Sequence, residues 1–328
     1  MERLEGGPPY LHCVQLPTPF VVGPVNIYVA LGSDGVTLVD TGPKTTAARA
    51  ALVSGLIALG QDAPAIGQVV VTHAHADHYG LAGWLAGQGG AAVATHPLNQ
   101  GSLAQDAAVE AQHAAFYEEQ LTLAGVPQEL RQGIEAVRRG FRAYVERLPD
   151  TRPLVEGDAL CLGGEPWQAL HLPGHSGGLL GLWQADRRVL LASDHLLQGI
   201  TSNPLLEPPA QPSQPRRRSL ADYLESLERT RQLQPALVLP GHGPPIVRAG
   251  ALIDERLRFH ERRQEWLWRR IAMGVGTVYG LCLELFGALS ELNTLLAVSE
   301  VVGHLDLLQA AGRIGWATRD GLWRLWAR

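Results

Sequence analysis

Thr72-His73-Ala74-His75-Ala76-Asp77-His78 is the most informative segment of this sequence. It brings three imidazoles and a carboxylate into positions 73–78, directly after the mostly apolar run 68–71. A short apolar run of this kind is typical of an inner strand whose two faces are covered by helices. Imidazole and carboxylate are ligands that suit zinc and, less specifically, manganese or iron. The stretch therefore predicts a metal site. The alternative interpretation is that these are ordinary surface or core histidines. It would require four ligand-type side chains to occur at this spacing by chance.

The spacing within the stretch predicts how its side chains face bound ions. On an extended segment alternate residues face the same side, so His73 and His75 can converge on one ion. If the chain then turns into a helix, Asp77 and His78 point from its first turn towards a second ion nearby.

Three further ligand-type residues follow predicted strands. His175 lies in a Pro-Gly-His-Ser turn, His242 lies in a Pro-Gly-His-Gly turn, and Asp194 ends the apolar run 190–194. In α/β sheets, ligands bind where strands end and loops begin. A structural histidine or a turn-forming aspartate is the better interpretation of any one of them alone. Together with the first stretch, they favour a metal site.

The order of these motifs, H-x-H-x-D-H, P-G-H-S, Asp and P-G-H-G, resembles the metallo-β-lactamase superfamily over most of the first 250 residues. The resemblance implies an α/β protein with a four-layer αβ/βα sandwich and a binuclear site at one edge, holding two zinc ions, with manganese or iron as alternatives. Carried over by position, it implies that the first metal is held by His73, His75 and His175, and the second by Asp77, His78 and His242. It further implies that Asp194 bridges the ions and that Asp40, in an Asp-Thr-Gly turn, orients a ligand.

The same resemblance implies a hydrolytic mechanism in which a water molecule shared by two cations becomes hydroxide near neutral pH and attacks a carbonyl or a phosphorus atom. Asp77 is then also the catalytic residue that orients this hydroxide, and Ser176 and Ser193 are turn and capping residues. The main penicillin-hydrolysing zinc class has cysteine at the position of Asp194, and flavodiiron oxygen reductases have glutamate at that of His75. Antibiotic hydrolysis and redox iron chemistry are therefore disfavoured. Glyoxalase II enzymes share all seven ligands, but their helical glutathione-binding tail has no evident counterpart here.

The pattern along the chain predicts a catalytic domain at residues 1–250 and a small domain at residues 251–328. Residues 102–148 lack strand signals and are predicted to form a helical insertion, either a lid over the substrate or helices packed on the sandwich. Residues 251–328 follow the order helix, helix, helix, hairpin, which is that of a winged helix and resembles the tail of the β-lactamase-like protein 2 group. The aromatic residues that could line a pocket or pack a core within the insertion are Phe116, Tyr117, Phe141 and Tyr144.

Composition limits the function classes. The chain has 328 residues, a formal charge of −5, 46% hydrophobic and 18% charged residues, which excludes extensive disorder and disfavours a dominant nucleic-acid binder. Cys13, Cys161 and Cys282 lie far apart and fit a reducing compartment. We expect no signal peptide, no membrane segment or membrane partner, and a cytoplasmic location.

Three functions stay open from the sequence. The first is a zinc-dependent hydrolase for a small carbonyl substrate, namely a thioester, an ester or a lactone, and the charge of −5 favours it. The second is a metal-dependent endoribonuclease for single-stranded RNA. The third is a nucleic-acid-binding regulator with a relict metal site, which the complete ligand set disfavours.

Residues 251–328 carry ten Arg and nine Asp or Glu, a net charge of +1 (10 − 9) that is too even for strong RNA binding. The basic run 216–218 could bind phosphate or lie solvated in a loop, and a homodimer is a further expectation.

Overall fold

Two β-sheets packed face to face form the centre of the computed structural model, which describes residues 2–3, 5–33, 35–211 and 213–328. From the sequence, the run Gly32-Ser33-Asp34-Gly35 predicts a hairpin turn, and the proline-rich run 205–215, which includes Pro212, predicts an extended loop. Asp34 and Pro212, and Met1 and Leu4 of the amino-terminal stretch, lie outside the described residues.

The seven strands of the first sheet lie side by side in the order in which they occur along the chain. The neighbouring strands β1 to β4 pair antiparallel, and β4 to β7 pair parallel. Its strands are β1 (Glu2–Arg3), β2 (Leu11–Leu16), β3 (Val25–Gly32), β4 (Gly35–Val39), β5 (Ile66–Val71), β6 (Ala92–Thr95) and β7 (Arg152–Pro153). The second sheet has the order β12-β11-β10-β9-β8, with only β11 and β12 parallel among its described pairs. Its strands are β8 (Ala159–Leu162), β9 (Glu165–His171), β10 (Leu180–Gln184), β11 (Val189–Ser193) and β12 (Leu237–Pro240).

Helices cover the outer face of each sheet and form the carboxyl-terminal part of the chain. They are α1 (Thr46–Ala58), α2 (Ala76–Tyr79), α3 (Ala82–Gly89), α4 (Pro97–Leu103), α5 (Ala107–Ala124), α6 (Gln128–Gly140), α7 (Ser219–Leu233), α8 (Ala249–Ala272), α9 (Val278–Phe286) and α10 (Glu291–Ala310). Short 3₁₀ turns span Ala63–Ala65 and Phe141–Tyr144, and a final hairpin joins β13 (Ile314–Arg319) to β14 (Leu322–Ala327).

Three layers of apolar side chains hold the sandwich together. Leu52 and Leu56 of α1 pack against the first sheet, and Trp167 and Leu182 lie between the two sheets. On the far side, Leu227 of α7 packs against the second sheet. Burying apolar side chains in this way contributes roughly 1.5–3 kcal/mol for each fully buried large residue. The predicted four-layer metallo-β-lactamase fold is therefore confirmed.

The helical insertion and the carboxyl-terminal helices share one apolar core. Phe116 and Ile134, on α5 and α6, pack in the same cluster as Leu281, Val298 and Leu325 of the last helices and hairpin. The predicted order of three helices followed by a hairpin is present in residues 249–327, and this region is compatible with an additional small domain.

None of the described helices is by itself long and apolar enough to cross a membrane. Helices α9 and α10 pass such a test only when they are taken together, and they meet at an angle of 112°.

Candidate metal centre

The seven predicted ligand side chains meet at one edge of the sandwich, where four strands end. His73 comes after β5, and His75 caps the short helix α2, which carries Asp77 and His78. The other three side chains follow β9, β11 and β12 and are His175, Asp194 and His242. The carboxyl ends of these strands thus bring together residues that lie as much as 169 positions apart (242 − 73).

Three imidazole nitrogens form the first group of ligand atoms. Nδ1 of His75 lies 3.0 Å from Nε2 of His73 and 3.0 Å from Nε2 of His175. Burial lowers the pKa of all three imidazoles, and the neighbouring imidazoles lower it further for His73 and His75, which brings the pKa of His75 to about 3. Because a metal needs an unprotonated imidazole nitrogen, this group is suited to bind a cation at neutral pH.

Asp77, His78 and His242 form the second group. Nε2 of His242 lies 3.3 Å from Oδ2 of Asp77, and Nε2 of His78 lies 4.0 Å from Oδ1 of the same carboxylate. Burial lowers the pKa of His78 and His242, but the facing carboxylates outweigh burial and raise both pKa values above the usual range. A metal that binds the second group must therefore displace protons held by these imidazoles, whereas the first group has none to release at neutral pH.

Asp194 lies between the two groups. Its Oδ2 is 3.6 Å from Nε2 of His175 in the first group, and 3.5 Å and 3.7 Å from Nε2 of His78 and His242 in the second. Burial would raise the pKa of Asp194, but His78 and the other imidazoles lower it well below the usual range, so the side chain is a carboxylate at neutral pH. One carboxylate oxygen thus faces ligands of both groups.

Asp40 supports the site through hydrogen bonds to His78 and Thr72. Its Oδ2 accepts a hydrogen bond from Nδ1 of His78 at 2.8 Å, and its two oxygens accept hydrogen bonds from the backbone N–H and the hydroxyl of Thr72, both at 2.8 Å. Asp40 has a φ of 62°, a conformation that aspartate tolerates better than most residues. Its predicted contact with a ligand side chain is therefore present, and that ligand is His78.

Thr72 and Ser193 complete this support, and the sequence reasoning missed both roles. The two hydroxyl oxygens lie 2.8 Å apart, and the Ser193 hydroxyl also lies 3.4 Å from Oδ2 of Asp40. Ser193 adopts a φ of 47° directly before Asp194, so it is more than the predicted turn or capping residue. The only sequence signal for either hydroxyl is its position next to a ligand.

The donor set fits metal ions, as judged from the atoms that face the centre. Nδ1 of His242 donates to the carbonyl of Pro24 at 2.8 Å, just as Nδ1 of His78 donates to Asp40. Nε2 of both histidines and Oδ1 of Asp194 are buried and have no hydrogen-bond partner among the described residues. Metal-bound histidines are commonly held through their second nitrogen in this way. The two unpartnered Nε2 atoms lie 3.5 Å and 3.7 Å from Oδ2 of Asp194, and buried polar atoms that converge in this way favour a bound cation.

Gly241 allows the close approach of two ligands. A Cβ atom at this position would overlap Oδ1 of Asp194 and would lie 2.9 Å from Cε1 of His78. The glycine of the Pro-Gly-His-Gly turn is therefore required by the packing of the centre itself.

The candidate pocket aromatics divide between two places. Phe116 is buried in the helical core, and the hydroxyl of Tyr117 donates to the carbonyl of Leu206 at 2.7 Å. Phe141 and Tyr144 make edge contacts with Phe20, with ring centroids 5.5 Å and 5.2 Å apart.

The basic run 216–218 is mostly paired instead of solvated. Arg216 makes a two-fold ion pair with the buried carboxylate of Asp306 at 2.6 Å and 2.7 Å, and Arg217 pairs with Asp222 at 2.8 Å. The run therefore ties the segment before α7 to α10, and two of its three charges are neutralised.

Known proteins are similar to this chain in sequence. The chain is 35% identical over 297 residues to the probable metallo-hydrolase YqjP of Bacillus subtilis, covering 90% of this chain and 91% of that protein. It is 24% identical over 250 residues to a β-lactamase-like protein 2 homolog of Caenorhabditis elegans, covering 76% of this chain and 65% of the relative. It is 31% identical over 112 residues to a chicken (Gallus gallus) protein named acyl-coenzyme A thioesterase MBLAC2, covering 32% of this chain and 37% of the relative.

A solved structure shares nearly the whole fold. The metallo-β-lactamase family protein TTHA1429 of Thermus thermophilus superposes with a TM-score of 0.83 at 28% sequence identity, covering 98% of this chain and 99% of that protein. Residues 21–242 match the family model described as the metallo-β-lactamase superfamily. This match includes the four strand ends and all seven side chains of the centre. The chain belongs to the metallo-β-lactamase superfamily.

Proposed function

We propose that this protein is a binuclear zinc hydrolase that cleaves a small carbonyl substrate, namely a thioester, an ester or a lactone. The observation that carries the proposal is the position of Asp194, one oxygen of which lies 3.5–3.7 Å from nitrogens of both ligand groups. A carboxylate in that position is suited to bridge two cations. A single-ion site would leave one of the two buried ligand groups without a partner.

Each group of side chains has a distinct part in this proposal. The first ion would be held by His73, His75 and His175, the second by Asp77, His78 and His242, and both by Asp194. When bound, the two ions would lower the pKa of a water molecule and polarise the substrate carbonyl. Manganese or iron could occupy the same nitrogen and oxygen ligands.

Asp77 is the proposed catalytic residue. Burial would raise the pKa of its carboxyl group, but His78 and His242 lower it, so the carboxylate is ionised at neutral pH. An ionised carboxylate at this position can accept a hydrogen bond from the attacking water and then take its proton. The proton is next available to the departing thiolate or alkoxide, and the carboxyl group returns to its starting state.

The charges of the carboxyl-terminal region support a small substrate over RNA. Among its arginines, Arg313 pairs with Glu265 at 2.9 Å, Arg263 pairs with Glu300 at 2.8 Å, and Arg270 pairs with Glu284. RNA binding draws most of its free energy from basic side chains that contact phosphates, and here several of them are already neutralised. The name of the chicken relative, a thioesterase, supports placing thioesters first in the substrate class.

A side-by-side assay tests the proposal. Purified protein is given a panel of acyl thioesters, esters and lactones and, separately, a labelled single-stranded RNA, at about 50 and 200 mM salt. We expect at least one carbonyl substrate to be cleaved with a kcat/KM of roughly 10⁴ M⁻¹s⁻¹ or above, with little dependence on salt. The Asp77→Asn variant should lose this activity. Fast RNA cleavage that falls steeply with salt and is lost in Asp77→Asn would instead establish the ribonuclease.

A further inference from the structure

A layer of buried polar atoms lies beneath the Asp194 end of the metal centre, between α7, α8 and the segment that follows β11. Four of its atoms have no hydrogen-bond partner among the residues that the structure describes. They are Oη of Tyr223, Nε2 of His260, Nδ1 of His195 and Nε of Arg256. Their side chains belong to residues that are only 0–7% exposed, so bulk water does not satisfy these atoms. A buried polar atom without a partner costs roughly 1–3 kcal/mol, which makes four neighbouring ones a feature that needs an explanation.

The four side chains are neighbours. The ring of Tyr223, on α7, makes edge contacts with the imidazoles of His195 and His260, with centroids 5.8 Å and 5.9 Å apart. Arg256, on α8, donates to the carbonyls of Leu197 and Gln198, at 3.2 Å and 2.9 Å, just after His195 in the chain. The Tyr223 ring therefore contacts both imidazoles of the layer.

The hydrogen bonds that are present decide which nitrogens carry protons on the His260 side. Nδ1 of His304 lies 2.7 Å from the carbonyl of Glu300, which can only accept, so this nitrogen carries a proton and Nε2 of His304 is an acceptor. Nδ1 of His260 lies 3.1 Å from that acceptor and must donate to it. Nε2 of His260 is then a bare acceptor, and burial together with His304 lowers the pKa of His260 to about 3, so it stays neutral.

The same reasoning applies on the His195 side. The Thr230 hydroxyl donates to the carbonyl of Ser226 at 2.9 Å, so its oxygen accepts from Nε2 of His195, which lies 2.9 Å away. Nδ1 of His195 is consequently a second bare acceptor. The layer thus offers two acceptors, the imidazole nitrogens, and two donors, the Tyr223 hydroxyl and the Arg256 Nε–H.

We propose that this layer is a binding site for ordered internal water, held by Tyr223, His260, Arg256 and His195. A water molecule can accept from the hydroxyl or the guanidinium and donate to the imidazoles, and buried waters typically make about three such hydrogen bonds. An ion fits less well. The guanidinium of Arg256 repels a cation, and two bare imidazole nitrogens repel an anion.

The water site would link the carboxyl-terminal helices to the metal ligands, and this consequence rests on the proposed metal site. Gly174, which precedes the ligand His175, has a φ of 143°, and a Cβ there would lie 2.5 Å from Cα of Tyr223. On the same helix, Ser226 donates to the carbonyl of Pro173 at 2.8 Å. Through Tyr223 and Ser226, helix α7 therefore contacts the turn that carries His175, and through Tyr223 it also contacts the proposed water site. Tyr223 is a positioning residue, not a catalytic one.

A high-resolution crystal structure of the unmodified protein tests the water site without any variant. We expect at least one ordered water within hydrogen-bond distance of Oη of Tyr223 and of Nε2 of His260. A dry cavity, or four side chains rearranged so that they pair with one another, would overturn the proposal.

The Tyr223→Phe variant tests the same site in solution, with Tyr279→Phe on α9 as a control that loses the same hydroxyl from a half-buried position. We expect Tyr223→Phe to lower the melting temperature by about 3–5 °C and Tyr279→Phe to leave it unchanged. Tyr223→Phe should also weaken zinc affinity about three-fold or more without changing the number of ions bound. Equal melting temperatures for the two variants would contradict the water site. A lower melting temperature with unchanged zinc affinity would contradict only the positioning role, and absence of zinc from the unmodified protein would contradict the proposed function instead.

Discussion

Oδ2 of Asp40 and Nδ1 of His78 lie 2.8 Å apart in the buried base of the centre. Because Nδ1 is engaged by this carboxylate, the other nitrogen of His78 faces Asp77 and Asp194, at 4.0 Å and 3.5 Å. Asp40, which is not itself one of the seven predicted ligands, thus orients the side chain of His78.

Removing the charge of Asp40 should weaken metal binding without abolishing it. Asparagine tolerates the left-handed backbone at position 40 but has a single acceptor oxygen, where Asp40 accepts from both Thr72 and His78. We expect Asp40→Asn to bind the same number of ions with about 10–100-fold lower affinity. Competition with a chromogenic chelator measures this change, and an unaltered affinity would show that the contact does not orient His78.

Replacing Asp194 should have a larger effect than replacing any other single ligand, because its carboxylate faces both groups. We expect Asp194→Asn to retain the fold but to lose both ions and all hydrolytic activity. Asp186, in the exposed turn between β10 and β11, provides the matched control, and Asp186→Asn should retain full metal content. Elemental analysis of both variants is the measurement. One ion retained in Asp194→Asn would mean that Asp194 serves a single site.

Adding one methyl group at Gly241 should disturb the centre. The new Cβ would overlap Asp194 and press on His78, so we expect Gly241→Ala to lower metal affinity at least about ten-fold. Gly199→Ala is the control, since a Cβ there has no neighbour within 4 Å. The same competition assay applies, and equal affinities in the two variants would contradict the close packing described at this glycine.

Metal uptake should release protons and strengthen as pH rises. The facing carboxylates raise the pKa of His78 and His242 in the metal-free protein, so these imidazoles hold protons to a higher pH than free histidine does. A cation must displace those protons, and lowering the pH through the raised pKa values therefore weakens binding. Calorimetric zinc titrations in two buffers with different ionisation enthalpies count the released protons. Uptake that releases none, with an affinity independent of pH between about 6 and 8, would contradict this assignment.

The candidate ligands could be predicted from the sequence because their signals are local. His73, His75, Asp77 and His78 lie within one strand-to-helix turn, and the glycine turns mark His175 and His242. Helix α9 (Val278–Phe286) is likewise marked by local signals, since its apolar run is bounded by a capping threonine and a glycine.

The supports of the site could not be predicted, because they depend on contacts between distant residues. Thr72 and Ser193 are 121 positions apart, and Ser193 reaches Thr72 only through a backbone conformation that serine seldom adopts. Arg216 and Asp306, 90 positions apart, form an ion pair where the sequence shows only a basic run in a loop. Strand β2 could not be predicted either, because its pattern, Leu-His-Cys-Val-Gln-Leu, alternates too irregularly to stand out, although it pairs with β3 along its whole length.

The metal content of the protein as purified, without added metal, is the decisive test of the binuclear site. Elemental analysis gives the number of ions per chain, and an assay of the preferred carbonyl substrate with and without chelator gives the metal dependence of hydrolysis on the same sample. We predict close to two ions per chain, with zinc preferred to manganese or iron, and loss of hydrolysis on chelation with recovery when zinc is restored. A metal content near zero, with hydrolysis indifferent to chelators, would contradict this prediction.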